Sequence, residues 1–102
     1  MLSIRFTDNK EWWVSDKIFD RLFQSALKSG MSSNLEHWQH VVNANGGVDF
    51  SEIKDPEVLV LISTLRSTAE HDVTTIGNVN SATEDGSYRD GLLRFLDITK
   101  IN

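Results

Sequence analysis

The fold class depends on residues 2–14, LSIRFTDNKEWWV. Within residues 2–6, apolar and polar side chains alternate, which is the pattern of a strand with one buried face. Residues 8–10, Asp-Asn-Lys, favour a turn. Residues 12–14, Trp-Trp-Val, are aromatic or β-branched and suit a returning strand. The sequence therefore predicts an N-terminal β-hairpin. The competing interpretation is a single strand followed by a loop that carries both tryptophans and covers the core.

The residues after the hairpin predict an amphipathic helix of about three turns. Ser15 or Asp16 can accept hydrogen bonds from the N–H groups at its start, and Gly30 suits the left-handed position that follows a helix. The apolar stripe recurs at helical spacing and consists of Ile18, Phe19, Leu22, Phe23, Ala26 and Leu27.

A second, shorter helix is predicted to start at a cap formed by Ser33 or Asn34. It ends at residues 45–47, Asn-Gly-Gly, because these residue types tolerate a positive φ. Residues 48–53 are predicted to form a short connector, which an extended conformation would suit. The inner face of the helix consists of Leu35, Trp38, Val41 and Val42.

Residues 55–57, Asp-Pro-Glu, are a strong start signal for a third helix. Leu59 and Val60 widen its apolar stripe, which predicts a central helix contacted on more than one side. The stripe itself consists of Val58, Leu61, Ile62, Leu65 and Ala69.

The last part of the chain is more polar. Residues 73–79 are predicted to form either a short strand beside the hairpin or part of a long loop. Ser87 is predicted to cap a final helix that runs to about Thr99, although Gly91 weakens such a helix by about 1 kcal/mol relative to Ala. Its inward side chains are Tyr88, Leu92, Phe95 and Leu96.

Taken together, these elements predict a single α+β domain over residues 1–102, with an N-terminal β-hairpin packed on three to four α-helices. The alternative is an all-α bundle with an extended N-terminal arm. A chain of 102 residues with 39% hydrophobic and 25% charged residues can bury one core.

Composition limits the function classes. A net charge of −5 argues against non-specific binding to nucleic acid or to an anionic membrane surface. The absence of cysteine excludes disulfides, thiolate zinc sites and a cysteine nucleophile. The longest apolar run, residues 58–62, is too short to span a bilayer, and the N-terminus lacks the apolar run of a signal peptide. We therefore expect a cytoplasmic protein with neither a nucleic-acid nor a membrane partner.

One stretch of the sequence carries charge of a single sign. Between Arg66 and Arg89 there is no Lys or Arg, and the charged residues are Glu70, Asp72, Glu84 and Asp85. Such a segment creates a field that selects partners of opposite charge, whereas the alternative is a solvated segment that aids solubility. Glu84 and Asp85 also lie just before Tyr88, and carboxylates beside a tyrosine can mimic phosphates presented to a nuclease.

Signals for catalysis or metal binding are weak. His37 and His40 are spaced for one face of a helix, but a metal site needs a third ligand such as His71. Glu36 lies outside the His-Glu-x-x-His pattern of zinc proteases. Residues 70–72, Glu-His-Asp, point in different directions on a helix and form no relay. We therefore expect no catalytic residue, no metal and no cofactor.

Trp12 and Trp13 are consecutive and face opposite sides of a strand, so both are not expected to be equally buried. One of them is expected at a surface or a self-interface, unless a covering helix hides it. This favours an alternative function: a homo-oligomeric regulatory or adaptor module that uses the tryptophan-bearing hairpin.

The chain resembles, as a type, the small acidic immunity proteins that bacteria pair with secreted toxin domains, including those of contact-dependent growth inhibition systems. The resemblance rests on length, acidity, the lack of cysteine and residues 84–88, Glu-Asp-Gly-Ser-Tyr. It implies a non-enzymatic cytoplasmic inhibitor that binds one cognate toxin domain, often a nuclease, and blocks its active site or substrate face. We expect the chain to be a monomer or a weak dimer. The residues expected to meet basic groups of the toxin are Glu70, Asp72, Glu84, Asp85 and Tyr88.

Overall fold

The computed structural model describes residues 2–7, 9–32, 35–80 and 82–100. Within these residues the chain forms three strands and four α-helices, and the predicted α+β fold, with an N-terminal hairpin packed on helices, is confirmed. The elements are β1 (Leu2–Thr7), β2 (Lys10–Val14), α1 (Asp16–Lys28), α2 (His37–Asn45), β3 (Gly47–Asp49), a 3-10 turn (Phe50–Glu52), α3 (Pro56–Ile76) and α4 (Glu84–Ile98).

The hairpin pairs β1 and β2 in antiparallel register, with Ile4 opposite Trp12. As the alternation predicts, Trp12 is buried and Trp13 is 53% exposed on the other face. The Trp12 indole N–H donates to the Gly91 carbonyl oxygen at 3.1 Å and so ties the hairpin to α4. A Cβ at position 91 would lie 3.1 Å from the Ile18 side chain. Gly91 therefore allows α4 to pack closely against α1, which offsets its cost to the helix.

A third strand, β3, was predicted only as a connector that could be extended. It pairs in parallel with β1, which gives the sheet order β2-β1-β3. Gly47 lies opposite Ser3, and a Cβ at position 47 would lie only 2.0 Å from the Ser3 carbonyl oxygen. Only glycine permits this close approach of two backbones.

The first helix follows its prediction. Ser15 is the N-cap, and its hydroxyl oxygen accepts a hydrogen bond from the Ile18 N–H at 3.3 Å. Gly30, just after the helix, has a φ of 102°. The buried residues of α1 all belong to the predicted apolar stripe: Phe19, Leu22, Phe23 and Ala26.

Helix α2 ends as predicted at Asn45, and Gly46 takes a left-handed φ of 70°. Glu36 is the N-cap and makes no capping bond with its side chain. The predicted caps Ser33 and Asn34 lie outside the described residues, as does Asp8 of the predicted hairpin turn. The buried side chains on this part of the inner face are Leu35, Trp38 and Val42.

Helix α3 begins as predicted, with the Asp55 carboxylate accepting from the Glu57 N–H at 2.9 Å. It continues to Ile76, however, so the predicted strand over residues 73–79 is wrong, and the predicted loop holds only from residue 77 onward. Val73 and Ile76 are half-buried and pack against the core, which extends the apolar stripe by two turns. The threonine-rich composition does not prevent this, because the Thr74 hydroxyl donates within the helix to the Glu70 carbonyl oxygen.

The expectation that α3 is covered on more than one side at Leu59 and Val60 is also wrong. Leu59 is 73% exposed and Val60 is 56% exposed. Helices α1 and α4 pack on the other side of α3, where its buried residues lie: Val58, Leu61, Leu65, Thr68 and Ala69.

The final helix begins earlier than predicted. Thr83, not Ser87, is its N-cap, and the Thr83 hydroxyl oxygen accepts from the Gly86 N–H at 3.0 Å. Glu84 and Asp85 consequently occupy the first turn, where the positive end of the helix dipole stabilises carboxylates. Within the part of the chain that the structure describes, no helix is long and apolar enough to cross a bilayer.

Candidate functional site

The five residues predicted to meet a partner lie on two neighbouring helices. Glu70 and Asp72 belong to α3, and the other three belong to the first turns of α4. The structure links Asp72, Tyr88 and Asp85 in one chain of contacts that includes Arg21 of α1, a residue that the sequence did not indicate. Asp72 contacts Tyr88, and Arg21 contacts both Tyr88 and Asp85.

Tyr88 occupies the centre of this arrangement and is only 2% exposed. Its hydroxyl donates a hydrogen bond of 2.6 Å to Asp72 Oδ2. The ring therefore belongs to the core and cannot make the direct partner contact expected from the sequence. Its contribution to the surface is indirect, because it fixes the position of the Asp72 carboxylate.

The Tyr88 hydroxyl is held in its neutral form. Burial raises the pKa of Tyr88 well above its usual value, and the hydrogen bond to Asp72 and the negative charge of that carboxylate raise it further. The Arg21 guanidinium lowers the pKa of Tyr88, but this effect is the smallest of the four. In the folded protein near neutral pH, the hydroxyl therefore keeps its proton and donates it in the hydrogen bond to Asp72.

Arg21 joins α1 to α4. Its guanidinium carbon lies 4.1 Å from the centre of the Tyr88 ring, in a cation–π arrangement. Its Nη2 forms an ion pair of 2.8 Å with Asp85 Oδ1. A stretch that contains only acidic charges in sequence is thus partly neutralised in space. No sequence signal identifies Arg21, because its role depends on the packing of α1 beside α4.

Three carboxylates at this end of α3 and α4 form the acidic junction: Asp72, Glu84 and Asp85. Asp72 is half-buried, whereas the Asp85 side chain is 58% exposed. The Glu84 side chain is exposed and makes no hydrogen bond or ion pair with any described residue. The acidic junction therefore combines two carboxylates in fixed positions with one that is open to solvent.

Glu70 does not belong to the acidic junction. It lies two residues before Asp72, which turns its side chain by about 200° around the helix. Its carboxylate lies 3.7 Å from Arg66 Nη2, and its side chain is 62% exposed. Glu70 and Arg66 line a separate groove between α3, the hairpin and the end of α4.

The histidines lie apart from these carboxylates. His37 and His40 are exposed on α2, and the His37 ring packs beside Trp38 with 4.7 Å between ring centres. Among the described residues, no group of three or more His, Cys, Asp and Glu side chains could hold a metal ion. Asp72 turns toward Tyr88 while His71 is exposed, so the run at residues 70–72 forms no relay.

No protein-family model, curated protein or solved structure matches this chain. The function of this chain is therefore inferred from its own contacts and charges.

Proposed function

We propose that this chain is a cytoplasmic, non-enzymatic immunity protein that binds and neutralises a cognate basic toxin domain, of the nuclease kind, through the acidic junction. The observation that carries the proposal is the fixed position of two carboxylates at a surface. Tyr88 holds Asp72, and Arg21 holds Asp85. Side chains that are already fixed lose little conformational entropy when a partner binds them.

The chemistry of the acidic junction suits a nuclease partner. A nuclease presents Lys, Arg and His side chains to the phosphates of its substrate, and carboxylates accept charge-assisted hydrogen bonds from the same groups. Asp85 uses Oδ1 for Arg21, and its largely exposed side chain leaves the second oxygen accessible to a partner cation. Glu84 adds a second exposed acceptor one residue away.

The charge of the whole chain supports the same partner. The net charge of −5 attracts a basic protein over distances longer than those of the direct contacts. Electrostatic attraction of this kind raises the association rate, and a few desolvated pairs lower the dissociation rate.

The proposal is tested with the toxin domain that we expect the neighbouring upstream gene to encode, as the variable C-terminal part of a large secreted protein. The double variant E84Q/D85N removes two charges of the acidic junction with little change in shape. We expect its affinity for the toxin domain to fall about 10- to 100-fold, which corresponds to about 1.4–2.7 kcal/mol. Cells that express this variant should lose protection against the toxin.

The matched control is E36Q/E52Q, which changes the net charge equally at two exposed carboxylates outside the acidic junction. It should bind and protect like the wild type. Equal losses for both double variants would show that only bulk charge matters and would contradict the proposed site. A wild-type chain that neither binds nor protects, or that turns over a small molecule, would contradict the proposed function.

A second candidate function is a homo-oligomeric regulatory or adaptor module. The observation that favours it is Trp13, which is 53% exposed on the outer face of the sheet, on the edge strand β2. Exposed tryptophans are enriched at binding hot spots. A stable oligomer that Trp13→Glu dissociates would favour this function over the first.

A further inference from the structure

The two most exposed large apolar side chains of the described residues are neighbours on α3. They are Leu59, at 73% exposure, and Val60, at 56%. Together with Ser63 and Ser67, which are exposed on the same side of the helix, they form the α3 ridge. Isolated exposed apolar residues are common on proteins, but two adjacent ones on one helix indicate an interaction surface. The charged residues on this side of α3, Arg66 and Glu70, form an ion pair nearer its C-terminal end.

The α3 ridge lies between two depressions. The larger has a volume of about 540 Å³, and its apolar lining is Phe6, Leu59, Ile62 and Ile98. The smaller has a volume of about 260 Å³, and Ala26, Met31, Leu35 and Val60 form its apolar lining. A ridge with a groove on each side is the shape that packs against another helix.

The side-chain sizes along the α3 ridge allow two antiparallel copies of the ridge to fit together. Its large side chains, Leu59 and Val60, lie toward the helix N-terminus, and its small ones, Ser63 and Ser67, lie toward the C-terminus. Leu59 and Ser67 are about 12 Å apart along the helix. If a second copy crosses antiparallel over Ser63, the Leu59 side chain of each copy meets the gap above Ser67 of the other.

The charges around the α3 ridge are complementary in the same orientation. Residues 52–57, which lead into α3, contain three carboxylates and one lysine. The larger groove, which extends toward the C-terminal half of α3, is lined by three cations, Lys10, Arg66 and Lys100, and among its described residues by one carboxylate, Glu70. An antiparallel crossing brings the acidic end of one copy toward the cationic groove of the other, twice.

We propose that the α3 ridge is the interface of a homodimer in which the α3 helices of two copies cross antiparallel near Ser63. The acidic junction remains accessible in this dimer, because Asp72 lies on the opposite side of α3, about 170° around the helix from the ridge. The dimer therefore does not depend on the proposed toxin-binding function, and it would present two acidic junctions that point away from the interface.

The first test is the oligomeric state of the isolated chain, measured by sedimentation velocity over a range of concentrations. The wild type should form a reversible dimer, and L59E should be monomeric at concentrations where the wild type dimerises. The controls are V79E and W13E, which place the same charge at exposed apolar residues outside the ridge. Both should dimerise like the wild type. At concentrations where the wild type is monomeric, thermal unfolding of L59E should match that of the wild type, since Leu59 contributes little to the monomer core.

The second test introduces one cysteine into a chain that has none. Any disulfide must then join the introduced cysteines of two copies. Disulfide formation needs Cα atoms within about 7 Å, a separation that the proposed crossing gives only near Ser63. Under mild oxidation, S63C should form a covalent dimer rapidly, and the exposed control S51C should not. A monomeric wild type, a dimer that W13E rather than L59E dissociates, or S63C that cross-links no faster than S51C would each overturn the proposal.

Discussion

The acidic junction and the α3 ridge both include residues of helix α3, yet the chain pairs two of the three carboxylates of the acidic junction and leaves both large apolar side chains of the α3 ridge uncovered. At the acidic junction, Asp72 accepts a hydrogen bond from Tyr88, and Asp85 is paired with Arg21. On the α3 ridge, Leu59 and Val60 are mostly exposed. Contacts within the fold thus partly neutralise the acidic segment, whereas no contact within the fold covers the exposed apolar side chains of α3.

The difference shows that a local sequence pattern does not reveal which partner a side chain finds. The run of acids after Arg66 contains no cation, but α1 supplies Arg21 from a position 64 residues before Asp85. Conversely, the apolar run at the start of α3 predicts cover on several sides, and the chain provides it on one side only. Mutation of Tyr88, which supports the acidic junction, should therefore lower the stability of the fold. Mutation of the α3 ridge should leave stability nearly unchanged and weaken association.

The largest expected effect is loss of stability when the buried ring at the acidic junction is removed. Y88A should lower the free energy of unfolding by about 3–5 kcal/mol, as for other large aromatic side chains in a core. L59A on the α3 ridge should change it by less than about 0.5 kcal/mol, because that side chain is mostly in water. Chemical denaturation measures both. Equal effects would contradict the contrast between the buried Tyr88 ring and the uncovered α3 ridge.

A smaller effect is expected when only the Tyr88 hydroxyl is removed. Y88F keeps the ring but loses the hydrogen bond to the Asp72 carboxylate, and it should cost about 1.5–3 kcal/mol near neutral pH. The measurement is again chemical denaturation. Unchanged stability would show that the contact between Tyr88 and Asp72 does not hold the two helices together.

The same hydroxyl makes stability depend on alkaline pH. Because burial and Asp72 raise the pKa of Tyr88 in the folded state, the unfolded state loses this proton first, and stability should fall as the pH rises above about 10. Tyr88 is the only tyrosine, so tyrosinate absorbance reports it alone. The folded chain should show no tyrosinate until it unfolds, and Y88F should lack this alkaline loss of stability. Tyrosinate formation near pH 10 in the folded protein would contradict the assigned contact.

The smallest stability effect concerns the cation that α1 supplies to the acidic junction. R21M removes an exposed ion pair and a cation–π contact and should cost about 1 kcal/mol. K17M removes an exposed cation from the same helix and should cost less than about 0.5 kcal/mol. Thermal unfolding of the two variants compares them directly. Identical unfolding temperatures would indicate that Arg21 does not stabilise the packing of α1 on α4.

Much of the fold was predictable because its signals are local. Alternation over residues 2–6 predicts the hairpin, and the caps at Ser15 and Asp55 predict two helix starts. The missed features depend on distant contacts. Strand β3 has three residues and exists through its pairing with β1, and the end of α3 is helical because Val73 and Ile76 reach the core.

The candidate site was predictable only in part. The sequence predicts Glu84 and Asp85 just before the final helix, whereas the cap at Thr83 places them in its first turn. The burial of Tyr88 and the role of Arg21 do not follow, because both require α1, α3 and α4 to be placed beside one another.

The proposed function requires above all that the acidic junction is the surface that meets a cationic protein. The most direct measurement is the association rate with the toxin domain as a function of ionic strength. The rate for the wild type should fall steeply with salt, because electrostatic attraction over more than about 8 Å is screened at physiological salt. The decline should be much shallower for E84Q/D85N and close to that of the wild type for E36Q/E52Q. An E84Q/D85N variant that associates as fast as the wild type at every salt concentration would contradict the account.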